Sequence, residues 1–265
     1  MNFWRTYGKE PYATVVVHGG PGAGGAMAPV ARELAPEWGV LEPIQTAVWL
    51  DGQVEELRAA LEGRGAPPMN VIGHSWGAWL GWLLAARHPS LVGKLILVGS
   101  GPFEEAYVEK LQAARLARLD TDEKAELAFL EKALSLPDVA DKLAVFARLE
   151  KLASQTDAFD RDTSVIRKSD RIGPRGEVFL GAWREASELR RNGKLLEFGK
   201  RISCPVAAIH GDYDPHPREG VEAPLSRVVK DFRFHLLKDC GHTPWLERRA
   251  GSRFYEVLRD ELRSR

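Results

Sequence analysis

Met69-Asn70-Val71-Ile72-Gly73-His74-Ser75-Trp76-Gly77-Ala78-Trp79-Leu80 is the stretch on which the fold turns. Residues 69–73 are a short apolar run suited to a buried strand, and residues 76–88 suit a helix, so a strand passes into a helix across Ser75. Gly73 and Gly77 frame that serine. A residue on so sharp a turn sits in strained backbone geometry, and its neighbours must lack bulk.

The same alternation extends on both sides. Ala13-Thr14-Val15-Val16-Val17-His18 is a β-branched run that stops at Gly19-Gly20-Pro21-Gly22-Ala23-Gly24-Gly25. A helix fits residues 27–35 and a strand residues 38–44. Asp51 is read as the cap of a helix carrying Val54, Leu57 and Leu61, which Pro67-Pro68 ends. Leu95-Ile96-Leu97-Val98 is a further strand. Strands alternating with helices predict an α/β protein with a mostly parallel central sheet and helices on both faces.

The rhythm breaks at Gly101-Pro102. Residues 103–199 are charged and helix-forming, with amphipathic stretches near 108–119, 123–134 and 142–152 and no convincing strand. Pro205-Val206-Ala207-Ala208-Ile209-His210 and Phe232-Arg233-Phe234-His235-Leu236-Leu237 then restore strands, and residues 254–262 form a closing amphipathic helix. The expected organisation is a first core part over residues 1–101, a helical cap or lid over 102–200, inserted after the strand ending near Gly99, and a second core part over 201–265.

Composition narrows the partners. The 265 residues carry 37 basic and 37 acidic side chains, so no net field attracts nucleic acid or an anionic membrane. A small-molecule substrate is the expected partner, with no nucleic acid and no membrane. The two cysteines, Cys204 and Cys240, are too few for a disulfide framework or a thiolate metal cage. With no apolar leader after Met1 and no run long enough to span a bilayer, a cytoplasmic protein is expected.

A serine hydroxyl becomes nucleophilic when a base takes its proton, and the base needs a carboxylate to orient it. His242, in Cys240-Gly241-His242-Thr243-Pro244-Trp245, follows the last strand and is the candidate base. His210-Gly211-Asp212-Tyr213-Asp214-Pro215 follows the preceding strand and offers two aspartates as the acid. Serine, aspartate and histidine in that chain order, each past a different strand end, is the order expected of a hydrolase triad. An oxyanion hole would use the N–H of Trp76, at a helix N-terminus, and that of Gly20, since Pro21 has none.

Other readings compete for these residues. Gly20-Pro21-Gly22-Ala23-Gly24-Gly25 also satisfies the dinucleotide-binding G-x-G-x-x-G, with Glu42 where a ribose-binding acid would sit. That reading leaves Ser75 and His242 without a role. Trp76, Trp79 and Trp82 recur every third residue, and packing against the sheet accounts for Trp79 and Trp82. His18, His74, His210 and His216 lack paired ligand spacing, so no metal and no cofactor are expected. Cys240 is read as a buried small residue.

Together His18-Gly19-Gly20-Pro21-Gly22, Gly73-His74-Ser75-Trp76-Gly77, Gly211-Asp212-Tyr213-Asp214 and Gly241-His242 resemble the α/β-hydrolase superfamily, nearest its proline iminopeptidase-like serine hydrolases. The resemblance implies an α/β-hydrolase fold, a cap over the site, no cofactor, and Asp214 rather than Asp212 as the acid. It also implies that Ala182-Trp183-Arg184-Glu185, similar to the family's A-W-x-x-W-E, brings Trp183 and Glu185 to the substrate. The family's D-Q-R-G-x-G-x-S stretch has no counterpart at Glu42-Pro43-Ile44-Gln45-Thr46, and its amino-terminal hairpin is shortened. The expected chemistry is hydrolysis of a small ester, amide or short peptide through an acyl-enzyme. The alternatives are a lyase on the same fold or a receptor with little turnover.

Overall fold

The computed structural model describes residues 4–21, 23–135, 142–170, 172 and 176–264. Its centre is a seven-stranded sheet in the order β1-β3-β2-β4-β5-β6-β7. The strands are β1 (Trp4–Tyr7), β2 (Tyr12–Val17), β3 (Gly39–Pro43), β4 (Met69–His74), β5 (Val92–Val98), β6 (Val206–Gly211) and β7 (Phe232–Leu237). All neighbours pair in parallel except β1, which runs antiparallel to β3.

Apolar residues on both faces of the inner strands β2, β4, β5 and β6 explain why these read as continuous apolar runs. Val15, Val17, Val71, Leu95, Leu97 and Ala208 enter one buried cluster, whereas Val16, Ile72, Ile96, Val98 and Ile209 enter the other. The first cluster is covered by α2 (Leu50–Arg64) and α3 (Trp76–Arg87), the second by α1 (Ala28–Leu34) and α10 (Gly251–Arg263). Between β5 and β6 lie α4 (Val108–Ala117), α5 (Thr121–Ser135), α6 (Lys142–Thr156), α7 (Gly176–Arg191) and α8 (Lys194–Glu197), and α9 (Glu219–Val228) joins β6 to β7. No strand is assigned among the described residues between β5 and β6; Arg161 makes one isolated bridge to Glu247.

Three local expectations change. The N-cap of α2 is Trp49, not Asp51; Asp51 lies in the first turn and pairs with Arg87 at 2.8 Å. The strand β1 and the helix α9, absent from the sequence reading, are both present. Trp79 and Trp82 are fully buried, yet their covering comes partly from residues beyond β5: Trp79 stacks on Trp183 with centroids 5.7 Å apart, and Trp82 donates Nε1–H to the Leu195 carbonyl at 2.8 Å. No helix among the described residues is long and apolar enough to cross a membrane.

Candidate active site

Ser75 stands between β4 and α3 with φ 51° and ψ −110°, a conformation that L side chains rarely adopt. The turn is tight enough that a Cβ on Gly73 would lie 2.2 Å from the Gly77 carbonyl oxygen, and one on Gly77 would lie 2.3 Å from that of Val17. The framing glycines are thus a steric requirement. The Ser75 N–H is anchored on the Val98 carbonyl at 2.9 Å, which fixes the serine at the end of the sheet.

Asp214 follows β6 and His242 follows β7, and the structure joins them: Nδ1–H of His242 donates to Asp214 Oδ2 at 2.8 Å. Gly99 makes room for the pair. A Cβ there would stand 2.6 Å from the His242 carbonyl oxygen and 3.4 Å from Asp214 Oδ2. His74, adjacent to Ser75, ties the elbow to the same group by donating Nε2–H to the His242 carbonyl at 3.0 Å. The two rings lie 4.8 Å apart. The Ser75 hydroxyl itself is not hydrogen-bonded to His242 among the described residues; such bonds often tighten only when substrate is bound.

Electrostatics set the protonation states. Burial opposes charge on Asp214, but the imidazoles of His242, His216 and His210 hold its carboxyl well below the ordinary carboxylate range. Burial also works to lower the His242 pKa, and the Asp214 charge and hydrogen bond outweigh it, so that ring titrates above its usual range. His74 is pushed down to about 3, by burial first and by His242 second, and stays neutral. Only one imidazole at the elbow is therefore placed to carry charge.

The Gly19-Gly20 turn lies against the nucleophile: a Cβ on Gly19 would be 3.1 Å from Ser75 Cβ. Gly20 has φ +66°, and Trp76 is the first residue of α3, where a helix leaves its N–H groups without intrahelical partners. The Trp76 side chain turns away into the core and donates Nε1–H to Gln53 Oε1 at 2.9 Å. The rest of the glycine run seats the segment before α7. Gly25, at φ +90°, would place a Cβ 1.7 Å from the Asp170 carbonyl oxygen, and the Gly24 carbonyl accepts the Ile172 N–H at 3.2 Å. Glu42 is buried in β3 and accepts the Tyr7 hydroxyl at 2.7 Å. These glycines answer to packing, and the carboxylate offered to a ribose is turned inward.

The two candidates on α7 part company. Trp183 packs on two buried indoles, 6.0 Å from Trp76 and stacked on Trp79, with 38% of its own surface exposed. Glu185 faces α2, where its Oε2 accepts the Leu50 N–H at 2.8 Å. That carboxylate supplies the helix cap assigned to Asp51 in the sequence reading. Cys240 is fully buried, and burial raises its thiol well above the ordinary range.

The sequence offers no signal for Asp157, and His216, set aside there as a metal ligand, stands beside Asp214 and His242. His216 donates Nδ1–H to Asp214 Oδ1 at 2.7 Å and stacks on His242, with centroids 4.3 Å apart. Asp157, at the end of α6, offers its carbonyl to the His242 N–H at 2.8 Å and its carboxylate to Arg115. The doublet of histidines flanking Asp214, at 210 and 216, was the available signal for His216.

A strained serine at a strand-to-helix elbow, beside a carboxylate-bound histidine on a mostly parallel sheet, defines the α/β hydrolases. The chain belongs to that family: the model of the alpha/beta hydrolase fold matches residues 21–248. Among individual proteins, it is 25% identical to the proline iminopeptidase of Heyndrickxia coagulans over 271 residues, covering 94% of this chain and 90% of that one. The crystal structure of VinJ superposes with a TM-score of 0.69 at 21% identity, covering 98% of this chain and 93% of that one. The crystal structure of proline iminopeptidase from Mycobacterium smegmatis gives 0.62 at 21% identity, over 98% and 93%.

Proposed function

We propose that the protein is a serine hydrolase that cleaves a small ester, amide or short peptide beneath the helices between β5 and β6. The reading is carried by one conjunction: Ser75 in strained backbone next to the elbow residue His74, whose ring is bonded to the residue that holds the Asp214 carboxylate at 2.8 Å. His242 Nε2 takes the Ser75 proton as Oγ attacks the substrate carbonyl carbon. The N–H groups of Gly20 and Trp76 receive the oxyanion, and Asp214 stabilises the imidazolium. His242 then protonates the leaving group, which departs and leaves an acyl-enzyme. Water, deprotonated by His242, attacks the acyl carbon and restores Ser75.

Within that class we favour substrates without a free amino terminus. What supports this is the engagement of Glu185 with the Leu50 N–H, which occupies the carboxylate that would hold an ammonium group, and the exposed indole face of Trp183.

A fluorophosphonate probe tests the nucleophile, and a panel of p-nitrophenyl esters set against aminoacyl-naphthylamides, proline included, tests the substrate. Labelling on Ser75 and turnover of esters are expected. Ser75→Ala should abolish labelling and lower turnover by about 10⁶-fold, the scale seen when such a nucleophile is removed, with an unchanged melting temperature. Ligand binding without labelling would make the protein a receptor, and a preference for prolyl-naphthylamide would restore a peptidase role.

A further inference from the structure

The hydrolase reading uses one oxygen of Asp214, but the carboxylate serves two imidazoles. Oδ2 accepts from His242 Nδ1 at 2.8 Å, and Oδ1 accepts from His216 Nδ1 at 2.7 Å and from the His216 backbone N–H at 2.9 Å. Each ring donating from Nδ1 keeps an open lone pair on Nε2. The rings are stacked, with centroids 4.3 Å apart and planes inclined by only 23°, so the two imidazoles hung from one carboxylate lie face to face. Asp157 completes the group: one ligand atom from each of Asp157, His216 and His242 lies within 4.8 Å of the others.

We propose that His216, His242 and Asp157 bind a divalent transition-metal ion of the zinc class, and that occupation of this site takes the lone pair with which His242 would act as base. The inhibitory half of this rests on the hydrolase reading; the binding half does not.

Donor chemistry selects the ion. Two imidazole nitrogens and a carboxylate oxygen suit zinc, whereas magnesium and calcium take oxygen ligands almost exclusively. Imidazoles that ligate zinc usually donate their other ring N–H to a carboxylate, which fixes tautomer and orientation. Here Asp214 already does so for both rings. Asp157 retains capacity: Oδ1 accepts Arg115 Nε and Thr156 Oγ1, while Oδ2 accepts Arg115 Nη2 alone, which leaves a lone pair on Oδ2. The Arg115 charge beside that oxygen opposes the cation, so binding is reversible rather than structural.

The test is calorimetric titration of the untagged, EDTA-treated full chain with ZnCl₂, performed in parallel on Ser75→Ala, His216→Asn and His216→Gln. One zinc per chain is expected in the unaltered protein and in Ser75→Ala, with affinity weakened by about tenfold or more in both His216 variants. Ester turnover of the unaltered protein and of the two His216 variants, each compared with its own metal-free rate, should be suppressed by zinc, least in the variants, and restored by EDTA. Visible absorption of the Co²⁺-loaded unaltered protein should show the bands of a nitrogen-ligated, low-coordinate site. No heat of zinc binding, equal affinity in the folded His216 variants, or a Co²⁺ spectrum like that of the aquo ion would each overturn the metal site. Zinc binding without fluorophosphonate labelling would sink the hydrolase reading alone; labelling without zinc binding would sink the metal site alone.

Discussion

The sheet-borne side of the site and the helical segment facing it are held by different forces. Ser75, Asp214 and His242 follow β4, β6 and β7, and the side chains of β4 and β6 are buried in two large apolar clusters to which Phe232, Phe234 and Leu237 of the edge strand β7 add. The helices α4 to α6 have only a small cluster of their own, built on Leu119, Leu130 and Leu152. They and the segments around them reach the core chiefly through polar latches. Glu247, buried beside the His242 loop, accepts the N–H groups of Phe159 and Asp160 at 3.0 and 2.6 Å as well as that of Gly241 at 3.1 Å. Asp170 binds Arg32 with Oδ1 at 2.5 Å and Arg5 with its carbonyl at 2.9 Å. Dense apolar burial fixes position without regard to pH; charge-assisted bonds fix it only while their partners stay ionised.

That contrast can be broken from either side. On the sheet, Asp214→Asn withdraws the charge that orients His242 and replaces a carboxylate that accepts three N–H groups, so a loss of about 10⁴-fold in kcat is expected together with a destabilisation of roughly 2 kcal/mol. Steady-state kinetics on the preferred ester and a thermal melt check it. At the boundary, Glu247→Gln replaces a carboxylate that accepts three N–H groups with an amide that carries donors of its own. A destabilisation of roughly 2 kcal/mol is expected, read by urea unfolding, together with a fall in kcat/KM as the His242 loop loosens.

The smallest effect sharpens the pH side of the comparison. Burial works to raise the Asp170 pKa, and the Arg32 bond and Arg167 N–H outweigh it, so the folded value lies below the ordinary one. A depressed carboxylate contributes stability above its unfolded pKa of about 4 and loses it as pH falls through the folded value. Asp170→Asn should therefore cost about 1 kcal/mol at neutral pH, and the gap to the unaltered protein should close below about pH 4. A gap that stays constant to pH 2 would show that the latch is steric.

The parts of this arrangement that were legible in the sequence are those with a local cause. Apolar runs announced the parallel strands, and two glycines around a serine announced the strain at Ser75. The edge strand β1 was not legible, because Trp-Arg-Thr-Tyr carries no apolar alternation and its pairing is set by β3. The helix α9 was hidden by Pro224 within it. The destination of Glu185 depended on how α7 meets α2, a tertiary fact that no spacing encodes. His216 was set aside for want of paired ligand spacing, because its partnership with His242 runs through the second oxygen of a shared aspartate and not through spacing along the chain.

The bond from the His242 N–H to the Asp157 carbonyl has a kinetic meaning. The segment that follows α6 props the backbone of the residue proposed to act as base. A displacement of residues 157–160 would therefore deprive the imidazole of its support, and it would be regained only on their return. Any motion of that segment would then be felt at the imidazole as well as at its own end of the molecule.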